Sequence, residues 1–547
     1  MSIIGIDLGT TYSAISKWTK TPSGHQTASV YNIPSQGQGN DYLSSKIYLD
    51  GVDNNGEINF IVGSLAGNKG VMHPDRYVSA VKREMDTNAI ITLDEKEFTP
   101  VDLSAEIIKM LLKQAENVEG PGTWIPEGVV VTVPYYFKQP QNINTAEAVK
   151  KAIRDMFGER AEKRGLNVDD IFLNLVPEPV SAGLDFSLLI GNNDGAVPEE
   201  TFLVFDLGGG TFDLSLFKTK VVNNKLSFEI LGVSGDDRLG GEDFDSSLLM
   251  FVLEEEGIDL SAESDKNKKR FFKKISQELT SCKEALTTTQ TAELIIPMAI
   301  GMRNIEFTIT RSDFEKCLNG ELGDKINYLE KLKDKLDDLL SDTNIRSRDV
   351  TSVLLTGGSS QIPVIRELLL QYFPEDRIRS IPNVNLAVCR GASAYAAYLL
   401  DKRDMAKNGG TVVNRRLSLW EDIEITEVQS HSLGIKTAQG FVMMLKANTI
   451  TPNTCVKIYH PNSLSNDGEK ARISEITILQ GERKSHVEIG KVTIGDIYTH
   501  GRDKENIPIT ITFIAESTDV KVKVFVPEGN SDKSDIEVEK SIKLSDS

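Results

Sequence analysis

A short segment near the N-terminus returns in a longer form in the middle of the chain. The segment Asp7–Thr11 reads DLGTT, and the segment Asp206–Asp213 reads DLGGGTFD. Each follows an apolar run, Ile3–Asp7 or Phe202–Asp206, and each precedes another stretch with the character of a strand. A duplicated unit of strand, glycine turn and strand predicts two similar lobes that face one another across a cleft.

The two glycine turns have the composition of a phosphate site. Glycine lets backbone N–H groups approach an anion closely, and Thr10, Thr11 and Thr211 add hydroxyl donors. An aspartate beside each turn would repel a bare phosphate, but it suits a bridging Mg²⁺ ion, which prefers carboxylate and water oxygens. The pair therefore predicts a Mg-nucleotide held from both sides, although either turn alone could equally be an ordinary β-hairpin.

A third glycine segment follows the apolar run Val353–Thr356. Gly357, Gly358 and Ser359 stand between this predicted strand and a predicted helix that continues through Ile362–Leu369. Such a turn would let an adenine or ribose lie against the backbone. Many helices begin after Gly and Ser, so this signal is weak by itself.

The chain has 547 residues, which is too many for one hydrophobic core, so several domains are expected. The first part alternates strand-like runs with helical periodicity, as in Thr145–Phe157, and this is typical of an α/β domain. Alternation at period two in Ile507–Phe513 and Val520–Val526 predicts a β-sandwich instead. The predicted regions are an α/β domain at 1–400, a linker at 401–428, a β-sandwich at 429–528 and a tail or frayed strand at 529–547.

Composition excludes several classes of function. A net charge of -19 makes nucleic acid an improbable partner. The four cysteines form no CxxC pair, which argues against a disulfide framework or a zinc site. The N-terminus has the pattern of a first strand, not of a signal peptide, and no apolar run is long enough for a membrane helix. We therefore expect a cytoplasmic protein with no membrane partner.

Six segments together resemble the signatures of the seventy-kilodalton heat-shock chaperones. They are Gly5–Tyr12, Val131–Phe137, Leu203–Asp213, Leu239–Asp245, Leu354–Pro363 and Leu479–Lys484. The similarity runs in order from about residue 3 to residue 526. Actins and sugar kinases share some of these motifs, but not the LQGERK segment of a C-terminal β-module.

This resemblance implies an actin-like, two-lobed α/β ATPase domain followed by an all-β sandwich that binds extended peptides. It implies ATP or ADP, Mg²⁺ and K⁺ as cofactors. It also implies unfolded polypeptide as a partner, with a J-domain co-chaperone and a nucleotide exchange factor as further candidates. Family members add a helical lid after the sandwich, and the residues after Val526 lack helical periodicity, so we expect a lidless β-module and rapid release of peptide.

The resemblance also assigns roles to residues. Lys82 would position the attacking water and stabilise charge on the γ-phosphoryl group, and Glu178 would be a second carboxylate near that water. Phosphoryl transfer depends mainly on positioning and charge neutralisation, which such groups supply. The implied catalytic residues are Lys82, Glu178, Asp206 and Thr211. The implied carboxylates around the metal, acting mostly through water, are Asp7, Asp206 and Asp213. Without the resemblance, Lys82 would be taken for an exposed helix lysine.

Two larger sets are implied for ligand binding. The nucleotide set is Gly9, Thr10, Thr11, Tyr12, Gly208, Gly209, Gly210, Thr211, Gly240, Gly241, Glu242, Lys283, Thr287, Gly357, Gly358 and Ser359. The peptide set is Ile435, Ala438, Ser474 and Ile476.

Several positions depart from the family pattern. In the adenosine pocket, Thr280 replaces a glutamate, Gln361 replaces an arginine and Asn385 replaces an aspartate, so weaker nucleotide binding is expected. Outside the pocket, three departures concern coupling between the domains and J-domain docking: Asn142, Asn174 and an interdomain segment of alternating Ile and Glu at Asp422–Val428. Ser474 and Ala438 replace apolar positions of the peptide cleft.

These departures leave two functions open. The leading hypothesis is an ATP-binding chaperone with weak ATPase activity. The alternative is a noncatalytic, nucleotide-stabilised interaction protein or co-chaperone scaffold. A small-molecule kinase of the actin-like superfamily is more remote, because it would need a sugar site in place of the β-module.

Overall fold

The computed structural model describes most of the chain. Its described residues are 2–547, apart from 21–25, 34–40, 53–57, 86–88, 136, 192–198, 223–224, 259, 262, 301–302, 380–385, 409–414, 418–421, 427, 430, 472–474, 483–484, 516–518 and 544–547. The backbone divides into two compact units. The first comprises residues 1–135, 144–228 and 233–424, and the second comprises residues 136–143, 229–232 and 425–547.

The first lobe of the first unit is built on a mixed sheet. The strands of this part are β1 (Ile3–Asp7), β2 (Tyr12–Lys20), β3 (Gln26–Val30), β4 (Leu43–Ser44), β5 (Lys46–Val52), β6 (Ile58–Val62), β7 (Tyr77–Ser79), β8 (Ile91–Leu93), β9 (Lys96–Phe98), β10 (Gly128–Val133) and β11 (Phe172–Pro177). Its helices are α1 (Ser64–Met72), α2 (Pro100–Glu119), α3 (Gln139–Lys163) and α4 (Glu178–Gly191). The main sheet has the order β11-β10-β1-β2-β3.

The second lobe repeats this plan. Its strands are β12 (Glu200–Leu207), β13 (Phe212–Val222), β14 (Lys225–Asp236), β15 (Thr291–Ile300), β16 (Arg303–Thr310), β17 (Ser352–Thr356) and β18 (Ile378–Arg379). The helices that follow β14 are α5 (Gly241–Glu255), α6 (Asp265–Leu286), α7 (Arg311–Leu318), α8 (Tyr328–Thr343), α9 (Pro363–Leu370) and α10 (Ala387–Lys407). The sheet has the order β18-β17-β12-β13-β14 and continues into β19 (Asp422–Thr426) at its edge.

The sheet pairings confirm the repeat that the sequence predicts. In each lobe the strand that ends in the motif aspartate pairs antiparallel with the strand after the glycine turn, as β1 does with β2 and β12 with β13. The same strand pairs in parallel on its other side, β1 with β10 and β12 with β17. Both faces of these central strands are buried, which explains their continuous apolar runs.

Helix α10 closes the first lobe after the chain has passed through the second. A methyl group added at Gly5 would lie 2.2 Å from the backbone nitrogen of Ser393, and one added at Gly391 would lie 1.8 Å from the carbonyl oxygen of Ser181. Only glycine allows this close packing of α10 against β1 and α4. The helix extends to Lys407, beyond the predicted boundary at residue 400.

Part of the predicted linker is also ordered against the first unit. The guanidinium of Arg416 contacts the carboxylates of Asp401, Asp404 and Glu127. The carbonyl oxygen of Arg416 accepts a hydrogen bond of 2.7 Å from Trp18 Nε1. These bonds hold the backbone around residue 416 beside the end of α10 and the first sheet.

The second unit is the β-sandwich that the alternation predicts. Its strands are β20 (Leu433–Thr437), β21 (Gly440–Leu445), β22 (Asn453–Tyr459), β23 (Lys470–Ala471), β24 (Glu475–Glu482), β25 (Ser485–Thr493), β26 (Ile497–Tyr498), β27 (Ile509–Ala515), β28 (Asp519–Val526) and β29 (Ile536–Lys543). Two sheets, β21-β20-β24-β25 and β22-β27-β28-β29, enclose one apolar core.

The last residues, for which the sequence leaves a tail or a frayed strand open, include a regular strand. Residues 536–543 form β29 and pair with β28 over eight positions from Asp519–Lys543 to Val526–Ile536. Ile536 and Ile542 are buried in the sandwich core. Alternating charged residues hid this strand, because only one of its faces is apolar.

Within the described part of the chain, no helix is both long and apolar enough to span a membrane.

Candidate functional site

The two glycine turns meet directly. A methyl group added at Gly209 would lie 1.9 Å from Thr11 Oγ1, and one added at Gly210 would lie 2.7 Å from Thr10 Oγ1. No side chain fits between the turns, which come from different lobes. The predicted facing of the two repeats is therefore confirmed.

Short hydrogen bonds fix the shape of each turn. The Gly9 N–H donates to Ser13 Oγ at 3.1 Å, and the Gly9 carbonyl accepts from Ser45 Oγ at 2.8 Å. In the second turn, the Gly208 N–H donates to the carbonyl oxygen of Thr211 at 3.0 Å. Each turn is thus held by its own lobe before any ligand arrives.

The segment Leu239–Asp245 packs beside the second turn. The N–H groups of Gly241 and Glu242 donate to the carbonyl oxygens of Gly208 and Gly209 at 3.0 and 2.7 Å. A methyl group added at Gly240 would lie 2.7 Å from the Gly209 backbone. The segment Leu239–Asp245 and the second glycine turn, which are separated in the sequence, therefore lie next to each other in the structure.

The third glycine segment joins the same region through Gly241. A methyl group added at Gly241 would lie 2.6 Å from Ser359 Oγ and 2.9 Å from Lys283 Nζ. Lys283 Nζ donates to the Gly241 carbonyl oxygen at 2.8 Å. A methyl group added at Gly357 would lie 2.8 Å from Asp206 Oδ1, and Gly357 has the left-handed φ of 77° that favours glycine.

Lys82 and Glu178 form a buried ion pair. Their Nζ and Oε1 atoms are 2.5 Å apart, and the two residues are only 5% and 7% exposed. Lys82 lies in the short 3-10 helix Val81–Glu84, which starts at Ala80 with a left-handed φ of 57°. Glu178 is the first residue of α4, directly after β11. Such a pair is tolerated in the interior because each charge neutralises the other.

Asp7 and Asp206 belong to the same electrostatic cluster. Burial and, to a smaller extent, the charge of Glu178 raise the pKa of Asp7 to about 7, although the charge of Lys82 opposes this rise. Burial and Glu178 likewise raise the pKa of Asp206 to about 8, with a further contribution from Asp7. Since the four groups act on one another, they lie close together.

Asp213 completes the predicted carboxylate set. It lies directly opposite Asp206 in the β12–β13 pair and is 1% exposed. In the described residues, no three metal-ligating side chains lie close enough to hold an ion directly.

The residues fit a magnesium nucleotide. Thr11 Oγ1 is buried and has no hydrogen-bond partner, although it faces the second turn. Asp245 Oδ1 is also buried and unpartnered, while Asp245 Oδ2 accepts from Lys283 and Thr280. The glycine cradle, the free hydroxyl and the excess of carboxylates over cations suit phosphates bridged by a divalent ion.

The base end is less developed, in line with the predicted departures. Thr280 Oγ1 lies 3.0 Å from Asp245 Oδ2 and 2.9 Å from the Ser276 carbonyl oxygen. Gln361 is exposed, and Thr287 caps the end of α6. Asn385 lies outside the described residues. Tyr12 is 45% exposed, and its hydroxyl lies 3.5 Å from Glu284 Oε1.

Arg83 is a site residue that the sequence reasoning missed. Its guanidinium donates to the Gly210 carbonyl oxygen at 3.0 Å and to Asp243 Oδ2 at 2.7 Å. The Asp243 carboxylate also accepts from the Gly240 N–H at 2.8 Å. Arg83 therefore orients the second turn from the opposite lobe. Its position next to Lys82 was the available signal.

The predicted peptide-binding residues are not gathered on an open surface. Ile435 and Ile476 are 4% and 6% exposed and belong to the sandwich core. Ala438 lies in the exposed turn between β20 and β21, and Ser474 lies outside the described residues. The family resemblance implied a cleft lined by these isoleucines, whereas both side chains point into the sandwich core.

Exposed apolar side chains of the second unit occur elsewhere. Val456 and Ile458 are 56% and 62% exposed on β22, which is an edge strand. Phe525 lies opposite Thr510, which itself lies opposite Ile458, so these residues share the outer face of the sheet.

The residues predicted to affect interdomain coupling lie in regular elements. Asn174 is in β11, where its Oδ1 accepts from the Leu175 N–H at 2.8 Å, and Asn142 is in α3. In the segment Asp422–Val428, residues 422–426 form β19, and Glu427 lies outside the described residues.

Comparison with known proteins agrees with this geometry. The chaperone protein DnaK of Mycoplasmopsis agalactiae is 28% identical over 561 aligned residues, which cover 99% of this chain and 81% of that protein. The family model described as Hsp70 protein matches residues 75–547. Since this match includes most of both units and most of the candidate site, the chain belongs to the Hsp70 family.

Proposed function

We propose that this protein is an ATP-dependent chaperone whose first unit binds and slowly hydrolyses ATP and whose second unit binds extended polypeptide. The observation that carries the proposal is the direct meeting of the two glycine turns at Thr10–Thr11 and Gly209–Gly210, beside the buried cluster of Lys82, Glu178, Asp7 and Asp206. Membership of the Hsp70 family supports it.

The proposed ligand is a magnesium nucleotide. Phosphates would be held by the turns Gly9–Thr11 and Gly208–Thr211, with Asp7, Asp206 and Asp213 around Mg²⁺ and K⁺. When bound, the cations neutralise charge on the phosphates and order the surrounding water. Lys283 and the segment Gly357–Ser359 would contact the nucleoside.

Hydrolysis would depend on Lys82 and Glu178. Among the described residues of the buried cluster, Lys82 supplies the only cation. Its ammonium group can therefore orient the attacking water and stabilise the negative charge that develops on the γ-phosphoryl group. Glu178 holds this ammonium group at 2.5 Å and offers an oxygen to the same water. Thr211 contributes a hydroxyl at the end of the second turn.

A low rate and modest nucleotide affinity are expected. At the base end, Thr280 is engaged with Asp245 and Gln361 is exposed. These contacts offer little support for an adenine ring, so most of the binding energy would come from the phosphates.

The proposed polypeptide site is an edge of the sandwich. Extended chains can add a strand to an exposed edge, where backbone hydrogen bonds give affinity and alternate side chains find apolar contacts. The edge strand β22 presents Val456 and Ile458 for this purpose. A J-domain protein and an exchange factor remain proposed partners.

A noncatalytic interaction protein is the second candidate. It is favoured by the burial of Ile435 and Ile476 in the sandwich core. In that case nucleotide would stabilise the first unit without turnover.

Steady-state phosphate release separates the two candidates. We expect turnover by the wild type that rises with an unfolded polypeptide and falls to background in Lys82→Ala. Lys109→Ala is the matched control, because Lys109 pairs with Glu106 and Asp155 on the surface of α2. Equal release by wild type and Lys82→Ala, with calorimetry still detecting ATP binding, would favour the noncatalytic protein.

A further inference from the structure

Two half-buried lysines from different lobes lie close enough to affect each other electrostatically. Lys46 is the first residue of β5, and Lys273 lies in α6. Neither amine has a carboxylate within ion-pair distance or a hydrogen-bond acceptor among the described residues. Lys273 Nζ instead lies 3.1 Å from the centroid of the Tyr77 ring.

A third donor lies at the same place. A methyl group added at Gly67 of α1 would lie 3.0 Å from Gln277 Nε2 and 3.8 Å from Lys46 Nζ. Gln277 is four residues after Lys273, so both side chains leave α6 on the same face. The first lobe thus contributes Lys46 and the second contributes Lys273 and Gln277.

The arrangement is electrostatically costly in the absence of an anion. Burial and, to a smaller extent, the positive charge of Lys46 lower the pKa of Lys273 to about 7. Burial also lowers the pKa of Lys46, although Glu284 and Asp245 partly oppose this. Asp245 is already engaged by Lys283. Such uncompensated groups occur at functional sites far more often than in purely structural positions.

We propose that Lys46, Lys273 and Gln277 form a binding site for a tetrahedral oxyanion, namely phosphate, that bridges the two lobes. Two ammonium groups call for a dianion, and about half of inorganic phosphate is the dianion at neutral pH, a share that neighbouring positive charges increase. A single carboxylate would neutralise only one of them. Lysine binds phosphate as a point charge, and the amide of Gln277 adds a directed hydrogen bond.

This site lies beside the nucleotide cleft, because Ser45, which precedes Lys46, donates to the Gly9 carbonyl oxygen, and the two sites are mechanically linked. Helix α6 carries Lys273 and Gln277 and, further along, Thr280 and Lys283 of the base end. An anion between the lobes would hold α6 against α1 and β5. If the proposed function holds, phosphate would therefore slow nucleotide release.

The test uses the full chain without nucleotide and inorganic phosphate as the probe. We expect phosphate to raise the Tm of the wild type by about 2 °C or more, beyond the effect of sodium chloride at matched ionic strength. The shift should be lost in Lys46→Met and Lys273→Met. It should remain in Lys274→Met, because Lys274 Nζ donates to the Pro297 carbonyl oxygen at 2.6 Å instead.

The glycine turns are the other possible source of phosphate binding, and Lys82→Ala distinguishes them. A shift that disappears in Lys82→Ala and survives in Lys273→Met would overturn the proposal. So would a shift that sodium chloride reproduces. A phosphate effect that depends on Lys273 in protein that binds no ATP would uphold this site while the proposed function failed.

Amine labelling of the wild type covers the case in which the variants do not fold. Acetylation of Lys273, followed by mass spectrometry, should fall at least about threefold when phosphate is added, because a bound anion protonates and covers the amine. Labelling of Lys274 should not change. Equal labelling of Lys273 with and without phosphate would contradict the proposal.

Discussion

Lys82 Nζ lies 2.5 Å from Glu178 Oε1. In the first lobe, Lys82 belongs to a short 3-10 helix and Glu178 is the first residue of α4. The pair is almost fully buried and lies beside Asp7 and Asp206. Its charges therefore contribute to the pKa values of both aspartates, which burial raises most. We therefore expect the same two residues to contribute to the stability of the protein and to its proposed chemistry. The two contributions can be measured separately.

Glu178→Gln should destabilise the protein and stop turnover. The substitution leaves Lys82 buried without a charged partner, which typically costs about 3 kcal/mol in the free energy of unfolding. Denaturant unfolding of Glu178→Gln, Lys82→Met and the double variant gives a double-mutant cycle. We expect the double variant to be more stable than the sum of the single changes predicts. Additive losses would mean that the pair is not coupled.

Gly209→Ala should weaken nucleotide binding by more than about tenfold, since a misplaced contact at a phosphate turn has large effects. The new methyl group would lie 1.9 Å from Thr11 Oγ1, so the lobes would have to separate. Gly158→Ala is the control, because Gly158 lies in α3 with open space around it and alanine favours a helix. Calorimetric titration with MgATP measures both. Unchanged affinity in Gly209→Ala would show that the turns do not hold the phosphates.

Binding of the magnesium nucleotide at pH 7 should release protons. Without a cation, Asp206 with a pKa of about 8 is mostly protonated and Asp7 with a pKa of about 7 is half protonated. A divalent ion favours the carboxylates, so roughly one proton should leave. Calorimetry in two buffers with different ionisation enthalpies measures this number. Heats that do not depend on the buffer would refute the expectation.

The same aspartates predict how the stability of the nucleotide-free protein depends on pH. Their pKa values are raised in the folded state, so between about pH 4 and pH 8 the folded protein binds more protons than the unfolded chain does. Their contribution is complete below pH 4 and is lost as the pH rises through 7 and 8. Asp206→Asn should therefore raise the free energy of unfolding at pH 8 by about 1 kcal/mol.

Urea unfolding at pH 5 and pH 8 checks this expectation, with Asp349→Asn as the control because Asp349 is exposed and paired with Arg346. A gain in Asp206→Asn that is equal at both values of pH would argue against titration of Asp206 as the cause.

Arg416→Ala should release the segment that follows α10. Arg416 binds three carboxylates, so its loss should cost about 2 kcal/mol of stability. Faster hydrogen exchange around Leu417 should accompany the loss. Lys407→Ala, at an exposed position near the end of α10, should change neither measurement. Unaltered exchange in Arg416→Ala would show that other contacts hold the segment.

The sequence could predict the glycine turns and the strands around them because their signals are local. Asp7 and Asp206 each end an apolar run, and glycine at the turns has few alternatives. The pair of Lys82 and Glu178 followed only from the family resemblance, since a charged residue alone does not disclose its partner across the fold.

Features that depend on long-range packing could not be predicted in this way. The burial of Ile435 is decided by the opposite sheet, and the strand Ile536–Lys543 is stabilised by β28, not by its own composition. The guanidinium of Arg83 reaches a turn in the other lobe. For Ile435 and Arg83 the deciding neighbour is far away along the chain, whereas β28 and β29 are consecutive strands.

The close packing of Gly391 on Ser181 and of Gly5 on Ser393 has a consequence for the folding of the chain during its synthesis on the ribosome. The first strand of the chain needs a helix that is translated several hundred residues later. At about 5–20 residues per second, β1 waits roughly 20–80 s for α10 to emerge. During that interval the surface of the first sheet that α10 covers is exposed, so the nascent chain presents an apolar face that is prone to aggregation.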